Sequence, residues 1–78
     1  TFLLWAYRGD LILRDSGLSL PGGPELPRRR VRRCRAEEQG SCGELVLELE
    51  LPEEELRITT GQPVDMVRAF ADGVNASP

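Results

Sequence analysis

A chain of 78 residues, 40% hydrophobic and 29% charged, has the make-up of one small globular domain rather than of a disordered segment. Its formal charge of −3 argues against a general nucleic-acid binder, and the absence of histidine removes the usual general base near neutral pH and the commonest zinc ligand. The longest apolar run, residues 2–7, is far shorter than the roughly 20 residues that cross a bilayer, so this fragment carries no membrane span.

The chain enters an apolar run at once, which predicts a single domain over 1–78 excised from a longer protein. Phe2-Leu3-Leu4-Trp5-Ala6-Tyr7 has the composition of a core-forming or edge strand, and Leu11, Ile12 and Leu13 form a second apolar run. Arg8-Gly9-Asp10 lies between them. Glycine reaches positive φ without steric cost and aspartate bonds its own backbone, so the tripeptide predicts a hairpin turn with Gly9 at its centre. The same tripeptide is an adhesive signal of extracellular proteins, which a hairpin tip would display.

Residues 15–27, DSGLSLPGGPELP, hold enough glycine and proline to predict a loop. RRRVRRCR, 28–35, is placed to pair across a glycine-containing turn with ELVLELELP, 44–52. In the latter Leu45, Leu47, Leu49 and Leu51 share one parity and Val46, Glu48 and Glu50 the other, the period of a strand with its leucines inward and its glutamates in water. The arginines would then stand opposite Glu48 and Glu50, in a register that the sequence leaves open. ELRITT, 55–60, alternates Leu56 and Ile58 with polar residues and reads as a further strand. Pro63 suits the first turn of a helix, with Asp65 complementing its dipole. Val67, Phe70, Ala71 and Val74 form its apolar stripe, Asp65, Arg68 and Asp72 its wet side, and Gly73 its end, leaving 75–78 as a flexible tail. The fold expected is α+β: a small antiparallel sheet of four to five short strands with one C-terminal helix packed on it.

Four groups of residues are candidates for function. Cys34 and Cys42 flank the hairpin connection and would form a stabilising disulfide if it folds back, which would place the domain outside the cell; as free thiols they favour an intracellular one. Arg28, Arg29, Arg30, Arg32, Arg33 and Arg35 make a basic surface. Nucleic acid is disfavoured as its partner, because eight acidic residues from Glu37 to Glu55 can neutralise the run and no aromatic residue lies beside it to stack a base. The carboxylates Glu48, Glu50, Glu53, Glu54 and Glu55 lack the spacing of a calcium loop and read as a solvated face. Arg8-Gly9-Asp10, together with Asn75-Ala76-Ser77, which matches a glycosylation acceptor disfavoured by Pro78, could serve outside the cell.

No catalytic, cofactor or metal signature is present in this set. The function that follows is a non-catalytic protein-interaction module of a larger protein or complex, binding another protein or the rest of its parent chain through a sheet edge or charged sheet face. The alternative is an extracellular domain of a secreted or membrane-anchored protein, with Cys34 and Cys42 bridged and Arg8-Gly9-Asp10 displayed.

Overall fold

Apolar alternation places most of this molecule in strands, and the computed structural model, which describes residues 2–6, 8–23 and 25–76, arranges them in two antiparallel sheets and one helix. β1 (Phe2–Ala6) pairs with β2 (Gly9–Leu13), so the hairpin predicted from the two apolar runs forms. Its reversal comes earlier than expected. Arg8 is a turn residue, whereas Gly9 already pairs with Ala6 and Asp10 with Trp5; Tyr7 lies outside the described residues. Gly9 sits at φ +136°, a conformation that side chains resist, so the glycine is needed at the strand's first position rather than at the turn's centre.

The stretch 15–27 is more than the expected loop, for it contains β3 (Gly17–Ser19) and β4 (Glu25–Pro27). Leu18 and Leu26 are partners in register and both are buried, so two leucines amid the glycine and proline suffice to draw the chain into the sheet. Pro27 is tolerated because β4 is an edge strand, where a missing N–H breaks no ladder. The four strands lie in sequence order, β1-β2-β3-β4.

A 3₁₀ turn, Arg28–Arg30, then leads into the second sheet, β5 (Val31–Gln39), β6 (Cys42–Leu49) and β7 (Glu54–Thr59), again in sequence order. The expected α+β class holds, but the single sheet of four to five strands is replaced by sheets of four and three. The first half of the arginine run is also not strand, since Arg28, Arg29 and Arg30 form the turn between the sheets.

Leu45, Leu47 and Leu49 are buried as predicted, whereas Leu51 is 74% exposed. The chain leaves β6 after Leu49 because Arg30 holds the following turn: Glu50 N–H donates to the Arg30 carbonyl at 2.9 Å and the Arg30 Nε–H donates to the Glu50 carbonyl at 2.9 Å. Leu51 then takes φ +63° and points away from the core, and Glu50 belongs to the turn rather than to the strand.

The helix α1 (Val64–Ala76) buries Val67, Phe70, Ala71 and Val74, as the spacing predicts. It does not stop at Gly73. Asn75, two residues beyond the expected terminus, accepts a hydrogen bond from Cys34 N–H at 2.8 Å and donates one to the Cys34 carbonyl at 2.7 Å. This pair of tertiary bonds, on the edge strand β5, holds a segment that would otherwise fray; of the expected tail 75–78, residues 75–76 belong to the helix and 77–78 lie outside the described residues. Among the described residues no helix is long and apolar enough to cross a membrane.

The helix packs on β5 and β6 and also touches β1, so both sheets and the helix share one core. Its closest approach is at Gly43. A Cβ there would stand 2.7 Å from Val67 Cγ2 and 2.9 Å from Val64 Cα, so the first turn of the helix lies directly on β6 backbone. Gly43 N–H donates to the Gln62 carbonyl at 2.7 Å and the Thr60 hydroxyl to the Gly43 carbonyl at 2.8 Å, closing the link between β7 and α1.

The two leucines of like parity are expected to behave differently. Leu47→Ala costs about 2–5 kcal/mol through the cavity it leaves, whereas Leu51→Ala changes stability by less than about 0.5 kcal/mol. Urea midpoints of the two variants measure the contrast.

Candidate functional site

The ten arginines fall into two groups by what they touch. On the face of β5-β6-β7 turned from the helix, Arg35, Val46 and Arg57 stand side by side in register, flanked by Glu37 and Glu44 on one side and by Glu48 and Glu55 on the other. Arg35 donates to Glu37 at 2.9 and 3.1 Å and to Glu48 at 2.7 Å. Arg57 donates to Glu37 and Glu44, both at 2.7 Å, and to Glu55 at 2.9 Å. Val46, directly between the two arginines, is fully buried. The expected wet face is therefore a second small burial site, with Arg35 and Arg57 beside Val46 and their charges tied to carboxylates.

Hydrogen bonds from Arg57 and then Arg35 hold the Glu37 carboxyl below its ordinary range, and the bonds to Glu37 and Glu44 in turn raise Arg57. Arg35 is raised likewise, by Glu37 first and Glu48 next. Glu44, whose side chain is only 8% exposed, has its carboxylate matched by Arg57. Arg30 is also committed, to the Glu50 and Pro52 carbonyls and to Glu54 at 3.3 Å. Arg28 donates to the carbonyls of Asp15 at 2.8 Å and Arg14 at 2.7 Å, tying the turn after β2 to the turn between the sheets.

Arg29, Arg32 and Arg33 differ. All three are exposed, and among the described residues none has an ion pair or a side-chain hydrogen bond. With Arg28 they line a groove of about 880 Å³ between the two sheets, whose other lining residues are the core side chains Leu13, Leu18 and Val74, the half-buried Val31, and Gly17, Glu48 and Asn75. Neighbouring residues of a regular strand point to opposite faces, which would separate Arg32 from Arg33. The register shows how they come together. Val31 pairs with Leu49 and Arg33 with Glu48, leaving Arg32 as the extra residue of a β-bulge, a device that re-aims side chains. Nothing in the sequence marks that bulge, nor the lining drawn from β2, β3 and α1.

Of the six arginines predicted as one basic surface, the structure gathers Arg28, Arg29, Arg32 and Arg33 at the groove and assigns Arg30 and Arg35 to structural bonds elsewhere. Glu48 faces Arg33 in register as expected but is bonded by Arg35, the diagonal neighbour. Glu50 and Glu53 lie exposed in the turn before β7, and among the described residues no three His, Cys, Asp or Glu side chains gather as a metal site.

Of the two states left open for Cys34 and Cys42, the structure has the free thiols and no disulfide between them. Cys34 pairs with Leu47 on the helix side, while Cys42 pairs with Gln39 on the other face, five residues along β6 from Leu47. At about 3.3 Å per residue that separation is roughly three times the reach of a disulfide. Burial pushes the Cys34 thiol up to about 12, the state of a core side chain rather than a reactive one. Arg8, Gly9 and Asp10 are all exposed at the end of the first hairpin, with Arg8 beside a smaller groove of about 400 Å³ that also takes in Pro21 and Ile58.

Two consequences separate the structural from the free arginines. Arg57→Gln leaves the buried Glu44 carboxylate unpaired, a defect of about 1–3 kcal/mol or more, whereas Arg33→Gln leaves no partner behind and keeps the denaturation midpoint. The second concerns pH. Because Glu37 has its folded pKa depressed, its contribution is complete above the ordinary glutamate value near 4.3 and is lost as pH falls through the depressed folded value. Stability measured from pH 6 downward should therefore fall below about pH 4, and Glu37→Gln should flatten that fall.

Against this geometry the comparisons add no relative: no family model matches the chain, and no curated protein or solved structure is detectably similar to it.

Proposed function

We propose that this domain is a non-catalytic protein-interaction module whose partner binds at the arginine-lined groove beside the edge strand β5. One observation carries the reading: among the described residues Arg29, Arg32 and Arg33 have no ion pair or side-chain hydrogen bond and line a single groove, in a protein that ties Arg28, Arg30, Arg35 and Arg57 to acceptors of its own. Clustered like charges with no internal partner cost a little stability through mutual repulsion, and a partner's carboxylates would offset that cost. The other charged surface, on β5-β6-β7, supports the reading less, because its arginines are already saturated.

The groove's chemistry also favours binding over catalysis. Its residues are aliphatic or arginine, apart from Gly17, Asn75 and Glu48; Asn75 is bound to Cys34 and Glu48 to Arg35. An extracellular alternative has lost its disulfide, because Cys34 and Cys42 lie on opposite faces; the exposed Arg8-Gly9-Asp10 is what remains of it.

The test is a titration with a short glutamate-rich peptide. Binding that weakens with salt and falls by about tenfold or more when Arg29→Ser, Arg32→Ser and Arg33→Ser are combined, with the melting temperature kept, is the expected result. Equal binding by the triple variant would overturn the reading.

A further inference from the structure

Strand β7 is an open edge of the second sheet. Beyond its ladder with β6, no described residue bonds the backbone of Glu54–Thr59, and open space adjoins residues 56–59. The other edges differ: β4 ends in Pro27 after three residues, the β5 backbone is bonded by Asn75 at Cys34, and β1 carries no charged residue. The bonds of Gly43 show which groups of β7 face outward. Gly43 directs its N–H to the Gln62 carbonyl and its own carbonyl accepts the Thr60 hydroxyl, so its backbone is turned to the β7 side, and by the period of two so are Leu45 and Leu47. Their partners Ile58 and Leu56 therefore turn N–H and C=O inward, which leaves those of Glu55, Arg57 and Thr59 on the outer edge. Cys34, opposite Leu47 in β5, turns its backbone outward to Asn75, as the same alternation requires.

We infer that a second copy of this chain adds to this edge, β7 antiparallel to β7 about a two-fold axis, joining two three-stranded sheets into one of six strands. The surface is distinct from the arginine groove, and the inference stands apart from the reading of that groove. A symmetric pair of this kind centres on one residue that faces its own counterpart. Centred on Leu56, it sets Glu55 opposite Arg57 of the second copy, twice over. Glu55 and Arg57 are also the residues whose backbone groups are open, so each such pair exchanges two backbone hydrogen bonds. Their side chains are 45% and 44% exposed, within reach of a facing strand. Centred on Glu55 or on Arg57, the strands would set like charges face to face; centred on Ile58, they would put Arg57 opposite Thr59 and form no charge pair. Charge thus selects the register, and the backbone supplies the bonds.

Sedimentation equilibrium from about 1 μM to about 1 mM protein, with amide hydrogen exchange at the same concentrations, tests this. The mass should rise towards that of two chains, and the Glu55 and Arg57 amides should exchange more slowly as it does, while those of Leu56 and Ile58 are protected at every concentration. A mass that stays at one chain throughout overturns the inference. Glu55→Arg sets like charges opposite each other at both pairs and should weaken the dimer at least about tenfold. Glu55→Pro removes an N–H that takes no part in the β6 ladder, so the dimer should be lost while circular dichroism stays native. Should that variant fail to fold, Glu55→Arg and the exchange of the two amides decide by themselves. A dimer in which the Glu55 and Arg57 amides remain unprotected, or which Glu55→Arg leaves intact, forms elsewhere and overturns the assignment to β7. So does a dimer abolished by combining Arg29→Ser, Arg32→Ser and Arg33→Ser, which would belong to the groove.

Discussion

The molecule depends on strand β6 being buried on both faces. Leu45, Leu47 and Leu49 meet the helix and the first sheet, while Val46 and Glu44 are buried on the opposite face, beside Arg35 and Arg57. A half-buried strand in a domain this small would leave the core with one apolar layer. Burying the second face draws in the charged residues, whose aliphatic stems cover Val46 and whose heads then need carboxylates in reach. Individually such exposed ion pairs contribute little, but Glu44 is buried and makes its match with Arg57 obligatory.

That arrangement divides the arginines. A guanidinium beside a carboxylate or a turn carbonyl on the second sheet is consumed by the fold, as with Arg30, Arg35 and Arg57. Arg29, Arg32 and Arg33 lie where the chain crosses from one sheet to the other, and among the described residues none of them has an ion pair, since Glu48, which faces Arg33 in register, is bonded by Arg35. The acidic network holds four carboxylates for two arginines, so a net negative face and an unpaired positive groove coexist in one small domain. Separation of charge on this scale orients an approaching charged partner more than the small net charge suggests.

Close backbone approaches set the geometry of the groove. Gly43 lets the helix lie on β6, which positions the far end of α1 so that Asn75 reaches the edge of β5. Val74 and Asn75 thereby become a wall of the groove. Arg28 fixes the opposite wall through the carbonyls after β2. The site is thus held at three points by bonds between elements distant in sequence, and the bulge at Arg32 turns adjacent arginines into it.

What local pattern determined was the identity of most elements. The leucine alternation of residues 45–49, the stripe Val67, Phe70, Ala71 and Val74, the alternation of Leu56 and Ile58 and the first hairpin are periodic signals, and burial follows a period wherever the backbone stays regular. Tertiary structure decided the points at which the backbone departs from regularity. Leu51 keeps the parity of the core but leaves it because Arg30 captures the turn; Leu18 and Leu26 make strands of a glycine- and proline-rich stretch because they find each other; Gly73 fails to end a helix because Asn75 has a partner in β5. The candidate site belongs wholly to that second kind. A run of arginines is visible in the sequence, but which of them are free depends on which carboxylates fold beside them, and a long-range pairing register leaves no local trace.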